Sequence, residues 1–241
     1  MKRNLLFLCS IIAFSGCVIV NFTDPSAVAP RGKPETFDIA TGDFSGIKVE
    51  GYCDIHYSYG QYSAVSLTLQ PNVRPLYAVD VVNGDLVIRT TKRINFRHAD
   101  IPVLTVASPE LNRLVIEGAC NFTANDTIAA DSMIFVVSGA GSVKADLDVR
   151  SLSVNIAGSG EFKFSGKART ADLKLSGMGD LDALPLETSE AMVNLSGAGT
   201  VRVSCSDNIS VNASGTGSVV YRGTPHLDLN TNGMVNVRRL D

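Results

Sequence analysis

The chain has 241 residues, of which 45% are hydrophobic and 19% are charged, a composition typical of a folded globular protein. The formal net charge is −3, and basic residues occur at most in adjacent pairs such as Lys2-Arg3 and Arg238-Arg239, which argues against nucleic-acid binding. Tryptophan is absent and aromatic residues make up 7%, so stacking platforms for bases or sugars are scarce.

The beginning of the chain is a predicted targeting segment. Lys2 and Arg3 precede an apolar run from Leu5 to Phe14, which has signal-peptide length and is too short to span a bilayer. The run ends in Phe14-Ser15-Gly16-Cys17, which resembles the lipobox of bacterial lipoproteins, although leucine is commonest where Phe14 stands. We therefore predict a signal peptide over residues 1–16 and lipid attachment at Cys17, which would hold the protein on a membrane surface. An ordinary secretory peptide is the alternative.

Residues 17–36 contain prolines and small residues without an apolar period, which predicts a flexible spacer. Residues 37–241 are predicted to form a single domain. Its first strands surround Gly51, where Ile47, Val49 and Ile55 alternate with polar residues.

An insert from Ser58 to Pro109 follows and does not share the pattern around Gly51. It contains four predicted strands, two of which flank Asn83-Gly84, the strongest hairpin signal in the chain. A stack of strands needs a covered first layer, because a row of unpaired backbone groups invites aggregation. We therefore predict that this insert caps the N-terminal end of the domain.

The second half of the chain repeats a Gly-x-Gly motif. Successive first glycines are separated by 21, 19, 19, 20, 18 and 18 residues, and cysteine or valine replaces the second glycine in the first and last copies. Apolar and polar residues alternate on both sides of each copy, which predicts strand, turn, strand. The first glycines are Gly118, Gly139, Gly158, Gly177, Gly197, Gly215 and Gly233.

A fixed period near twenty residues is typical of a stacked-repeat fold. We predict an all-β chain that forms a parallel β-helix, or solenoid, with about 18–21 residues per coil and glycines at a sharp corner. An antiparallel sandwich is the competing fold, but the identical phase of every copy favours stacking. The column expected to point inward four residues before the first glycine is Leu114, Phe135, Val154, Leu173, Val193, Val211 and Leu229.

Three cysteines remain if residues 1–16 are removed and Cys17 carries lipid. Cys53 and Cys120 have the same phase, two residues after Gly51 and Gly118, so their sulfurs would lie close together if their coils were adjacent. A disulfide and a pair of buried free thiols are both compatible with this spacing. The cysteine spacing matches no zinc motif, and we expect no metal site and no cofactor.

Catalytic patterns are weak in this sequence. Asp180 and Asp182 alternate onto one side of a strand, but a solvated strand face is the simpler interpretation. His56, His98 and His226 belong to no motif, and no nucleophile elbow occurs. The strongest candidate for binding is an outward column of amides, flanked by serines, that would form a flat hydrogen-bonding strip. Its members are Asn155, Asn194, Asn212 and Asn230.

Three features of the chain resemble the putative auto-transporter adhesin, head GIN domain family. They are the Asn83-Gly84 hairpin, the downstream Ser-Gly-x-Gly copies and the first strands of the domain, with Phe44, Ile47, Val49, Gly51, Asp54 and Ile55. The resemblance covers about residues 37–241. It implies a right-handed parallel β-helix-like domain of the kind common in Bacteroidetes envelopes, often as lipoproteins. It supplies no catalytic residues.

Three functions are consistent with these observations. We expect a lipid-anchored, non-enzymatic domain of the cell envelope, in the outer membrane, that acts as an adhesin or binds a glycan or protein ligand. A β-helix polysaccharide lyase or hydrolase is the alternative enzyme. A structural or sensory part of the envelope with a protein partner is the third hypothesis.

Overall fold

The computed structural model describes residues 27–96 and 101–240. The chain is 72% strand and folds as a β-solenoid of about seven turns, which confirms the predicted fold class. Within the described residues, seventeen strands form one continuous hydrogen-bonded sheet. The same described residues contain a single 3-10 helix, Pro71–Leu76, which connects the strands Ala64–Leu69 and Tyr77–Val82. The strands of the N-terminal half are β1 (Glu35–Ile39), β2 (Gly46–Val49), β3 (Tyr52–Tyr59), β4 (Ala64–Leu69), β5 (Tyr77–Val82), β6 (Asp85–Thr90), β7 (Val103–Ser108), β8 (Arg113–Ile116) and β9 (Ala119–Ala124).

The repeats form longer strands that bend around the coil without losing their pairing. Four successive repeat strands each cover most of one coil, and each pairs in parallel with the next. Ala140 lies opposite Ser159 and Ile156 opposite Leu175, so one coil step corresponds to 19 residues here. These strands are β10 (Ile128–Val137), β11 (Ala140–Ile156), β12 (Ser159–Leu175), β13 (Met178–Leu195), β14 (Ala198–Ala213), β15 (Thr216–Arg222), β16 (His226–Thr231) and β17 (Met234–Leu240).

The core consists of apolar columns that run from coil to coil. Val154, Leu173 and Val193 are register partners in succession, and all three are fully buried. The column includes Leu114 and Leu229, as the alternation predicted, and it continues beyond Leu114 to Ile47 and Leu86. Leu229 belongs to the last coil of the described residues and is 45% exposed, because none of these residues forms a coil that covers it. Burial of each coil therefore depends on its neighbours.

The two glycines of each corner are needed for different reasons. Gly160 has a φ of +154°, which side chains rarely adopt, and a Cβ there would lie 1.6 Å from the carbonyl oxygen of Gly141. Gly158 has no positive φ, yet a Cβ there would lie 1.8 Å from the carbonyl oxygen of Gly139. Positive φ therefore accounts for the second glycine of this corner but not for the first one. Close approach of the stacked backbones is what requires it.

The copy around Gly51 is not isolated. β2 pairs in parallel with β8, and β3 pairs in parallel with β9, so this copy stacks directly on the coil that contains Gly118. The insert folds back beneath it, because β6 pairs with β2 and β7 with β3 on their other edge. The insert therefore contributes one further parallel coil of its own.

The cap lies outside this extra coil. The predicted hairpin is present, with β5 antiparallel to β6 and φ values of 54° and 83° at Asn83 and Gly84. β4 pairs antiparallel with β7, and β1 pairs antiparallel with β4. The described part of the predicted spacer also contacts the domain, since Val28 forms a β-bridge with Ile94. Residues 1–26, including the predicted signal peptide and Cys17, lie outside the described residues.

Candidate functional site

The predicted amides form one column in register. Asn194 lies opposite Asn212, and Asn212 lies opposite Asn230. Lys174 separates Asn155 from this run, because it is the register partner of both Asn155 and Asn194. The amide strip (Asn155, Asn194, Asn212 and Asn230) thus consists of three consecutive amides and one beyond a lysine.

The amide strip faces solvent and borders a shallow groove. Asn155, Asn212 and Asn230 are exposed and Asn194 is half-buried. A groove of about 190 Å³ is lined by Asn194, Asn212, Asn230 and Asn232 together with Ser196 and Ser214. No hydrogen bond joins the strip's side chains in the described part of the chain, so their donors and acceptors remain available to a ligand.

The two carboxylates that could suggest an enzyme, Asp180 and Asp182, both accept hydrogen bonds from backbone N–H groups. Asp180 accepts a hydrogen bond from the backbone N–H of Thr200 at 3.1 Å, and Asp182 accepts one from the N–H of Leu184 at 3.1 Å. No cluster of three or more His, Cys, Asp or Glu side chains suited to a metal occurs within residues 27–96 and 101–240. His56 and His226 lie on different strands, and His98 lies outside the described residues.

Cys53 and Cys120 are brought together as their shared phase predicted. They are register partners on β3 and β9, both are buried, and both thiols are free. Two causes raise the pKa of the Cys120 thiol above its usual value. The larger is a hydrogen bond with Cys53, and the second is burial of the thiol. The arrangement corresponds to the second of the two alternatives, a pair of buried thiols.

A second, larger groove was not predicted from the sequence. It has a volume of about 770 Å³ and opens where the coil of β13 is longer than its neighbours. Ala183 pairs with Val203 and Glu187 with Ser204, so residues 184–186 have no partner in β14. The spacing of 20 residues between Gly177 and Gly197, and Pro185 within a strand, were the available signals. Neither shows on which side of the coil the extra residues lie.

The fold places the protein in the class of β-solenoids with polar outer surfaces, and comparison with known proteins identifies its family. The family model for the putative auto-transporter adhesin, head GIN domain matches residues 43–225, more than half of the chain. The chain belongs to this family, as the resemblance predicted. A comparison with curated proteins gave no significant match.

Solved structures share the fold. A putative adhesin from Bacteroides fragilis has a TM-score of 0.83 at 22% identity, over 89% of this chain and 100% of that one. A putative lipid binding protein from Parabacteroides distasonis has a TM-score of 0.70 at 20% identity, over 90% and 100% of the two chains. A putative adhesin from Parabacteroides merdae has a TM-score of 0.64 at 21% identity, over the same shares.

Within the part of the chain described by the structure, no helix has the length and apolar character needed to cross a membrane.

Proposed function

We propose that the protein is a lipid-anchored, non-enzymatic module of the cell envelope that binds a glycan or protein ligand at the amide strip. The observation that carries this proposal is the in-register run Asn194, Asn212 and Asn230 beside Ser196 and Ser214. Each amide offers two donors and one acceptor, so the strip repeats the same hydrogen-bonding pattern at each coil, about every 4.8 Å. Membership of an adhesin family supports this function.

Binding through the strip is tested with a glycan array and an Asn194→Ala/Asn212→Ala variant. Both side chains lie outside the buried columns, so the variant should fold, and the loss of several hydrogen bonds should weaken binding roughly tenfold. The control is Ser153→Ala/Ser210→Ala, two polar residues on β11 and β14 that do not line the groove beside the strip. Equal binding by the strip variant and the wild type would contradict the proposed site.

The non-enzymatic part of the proposal is tested by incubating each bound polysaccharide with the protein and measuring its chain length. We expect the chain length to remain constant. Shortened products with new reducing or unsaturated ends would instead identify the alternative, a β-helix lyase or hydrolase.

The anchor and the location are tested with Cys17→Ser. The wild type should incorporate labelled fatty acid and fractionate with the outer membrane. The variant should lose the label and appear in the soluble fraction. Labelling that persists in the variant would rule out Cys17 as the attachment site.

A further inference from the structure

The groove at the irregular coil, here called the basic groove, has cationic side chains around a floor of hydroxyls. Lys167 and Arg169 come from β12, and Arg222 comes from the end of β15. All three side chains are exposed, and none forms an ion pair within residues 27–96 and 101–240. The hydroxyl residues of the lining are Thr188, Ser189, Ser204, Ser206 and Thr224.

The backbone hydrogen-bond ladder between β13 and β14 is interrupted at the basic groove, and side-chain hydrogen bonds hold the groove walls in place there. Ser204 donates from Oγ to the carbonyl oxygen of Leu184 at 2.7 Å, and Thr188 donates from Oγ1 to the carbonyl oxygen of Ser204 at 2.6 Å. The first of these bonds satisfies the carbonyl group of Leu184, which has no partner in β14, and the second ties Thr188 to the backbone of β14. The groove is therefore a built feature of the coil, with its shape present before a ligand binds.

The charge of the groove is concentrated at its two ends. Glu187, the one carboxylate of the lining, is the register partner of Lys167, so these two charges largely offset each other. Arg169 and Arg222 remain, on strands that are three coil steps apart, or about 14 Å. Two arginines at this separation, with hydroxyls between them, suit a ligand that carries spaced anionic groups and hydroxyls.

The direction of the groove limits the class of ligand further. It runs across the strands from β12 to β15, so a peptide lying along it would be perpendicular to them. An extended peptide therefore cannot add as a further strand, and recognition depends on side chains. A lipid headgroup presents its anion at one point, whereas this groove offers cations at both ends.

We propose that the basic groove binds a linear acidic polysaccharide, with Arg169 and Arg222 each holding a carboxylate or sulfate of the chain. The biological meaning of this site depends on the proposed ligand-binding function. The groove is separate from the amide strip, however, so the two proposals can fail independently.

The test is a titration of the full-length protein with polygalacturonate, dextran sulfate and neutral dextran. We expect one or both of the acidic polymers to bind, with an affinity that falls as salt is added, and dextran not to bind. The carboxylated and sulfated polymers distinguish the two sources of negative charge. Binding of dextran as strongly as of the acidic polymers would overturn the proposal.

The variant Arg169→Gln/Arg222→Gln removes both end charges and leaves the walls intact. We expect it to lose about tenfold or more in affinity for the acidic polymer, since charge-assisted hydrogen bonds are lost. The control Lys144→Gln/Arg202→Gln removes the same charge from β11 and β14 outside the groove and should bind almost as the wild type does. Equal losses in the two variants would show diffuse attraction and overturn the site.

Two further outcomes separate this inference from its alternatives. Binding to anionic lipid vesicles but to neither acidic polymer, lost in the arginine variant, would overturn the ligand class. Loss of polygalacturonate or dextran sulfate binding in Asn194→Ala/Asn212→Ala, with the arginine variant unaffected, would overturn the groove and support the amide strip.

Discussion

At the scale of single residues, the corner glycines are the least replaceable positions. Gly160→Ala should lower the free energy of unfolding by about 3 kcal/mol or more, because its Cβ would clash with the backbone of the preceding coil and its φ is positive. Gly42→Ala is the matched control, since no atom lies within 4 Å of its added Cβ and its φ is not positive. Urea denaturation of both variants checks the prediction, and equal stabilities would contradict it.

The cysteine pair supplies a second prediction at this scale. The pKa of Cys120 is raised, so its thiol stays protonated at pH 8, where an ordinary cysteine is partly ionised. Cys53, Cys120 and Cys205 are all buried, and we expect none of them to react with iodoacetamide in the folded protein.

The unfolded protein is the control for this experiment. In denaturant without a reductant, all three cysteines should become labelled. If Cys53 and Cys120 stay unlabelled until a reductant is added, they form a disulfide in the protein as isolated, and the free-thiol arrangement is wrong.

At the scale of elements, stability should depend on position in the stack. Leu173 and Leu229 belong to the same column, but Leu173 is fully buried between coils whereas Leu229 is 45% exposed on the last one. Leu173→Ala should cost about 2–5 kcal/mol of unfolding free energy, and Leu229→Ala about 1 kcal/mol. Calorimetry of the two variants measures the difference, and similar losses at both positions would exclude a stack with an uncovered last coil.

The elements also show what the sequence could predict. The columns around Val154 and Leu173 were predictable, because alternation and the period fix both the face and the partner of each residue. The hairpin at Asn83-Gly84 was predictable because its turn is encoded locally. The placement of β6 and β7 beneath β2 and β3 was not, because it depends on long-range pairing between segments of dissimilar sequence.

Of the two candidate binding surfaces, the amide strip could be predicted from the sequence and the basic groove could not. The outward position of Asn194 and Asn212 follows from the period, and the structure places them side by side. The basic groove depends on where residues 184–186 leave the coil and on which side chains then surround the gap. Coil lengths of 19, 20 and 18 residues reveal that an irregularity exists without giving its direction.

At the scale of the whole molecule, the register between coils determines which side chains lie next to one another on the surface. The solenoid places residues one coil apart side by side, so short polar patterns in the sequence become continuous surfaces. The amide strip and the basic groove lie on the wall of the same stack, and each draws side chains from several coils. A ligand that contacts either surface would therefore contact residues about 20 to 75 positions apart in the chain.

Disulfide trapping tests this register most directly. In a Cys17→Ser background, Asn194→Cys/Asn212→Cys places two cysteines opposite each other, about 4.8 Å apart between Cα atoms and within disulfide range. Asn194→Cys/Ser214→Cys places them two residues out of register and beyond that range. Mild oxidation should crosslink the first pair rapidly and the second pair slowly; equal rates, or preferential crosslinking of the second pair, would contradict the stacked register on which both binding surfaces depend.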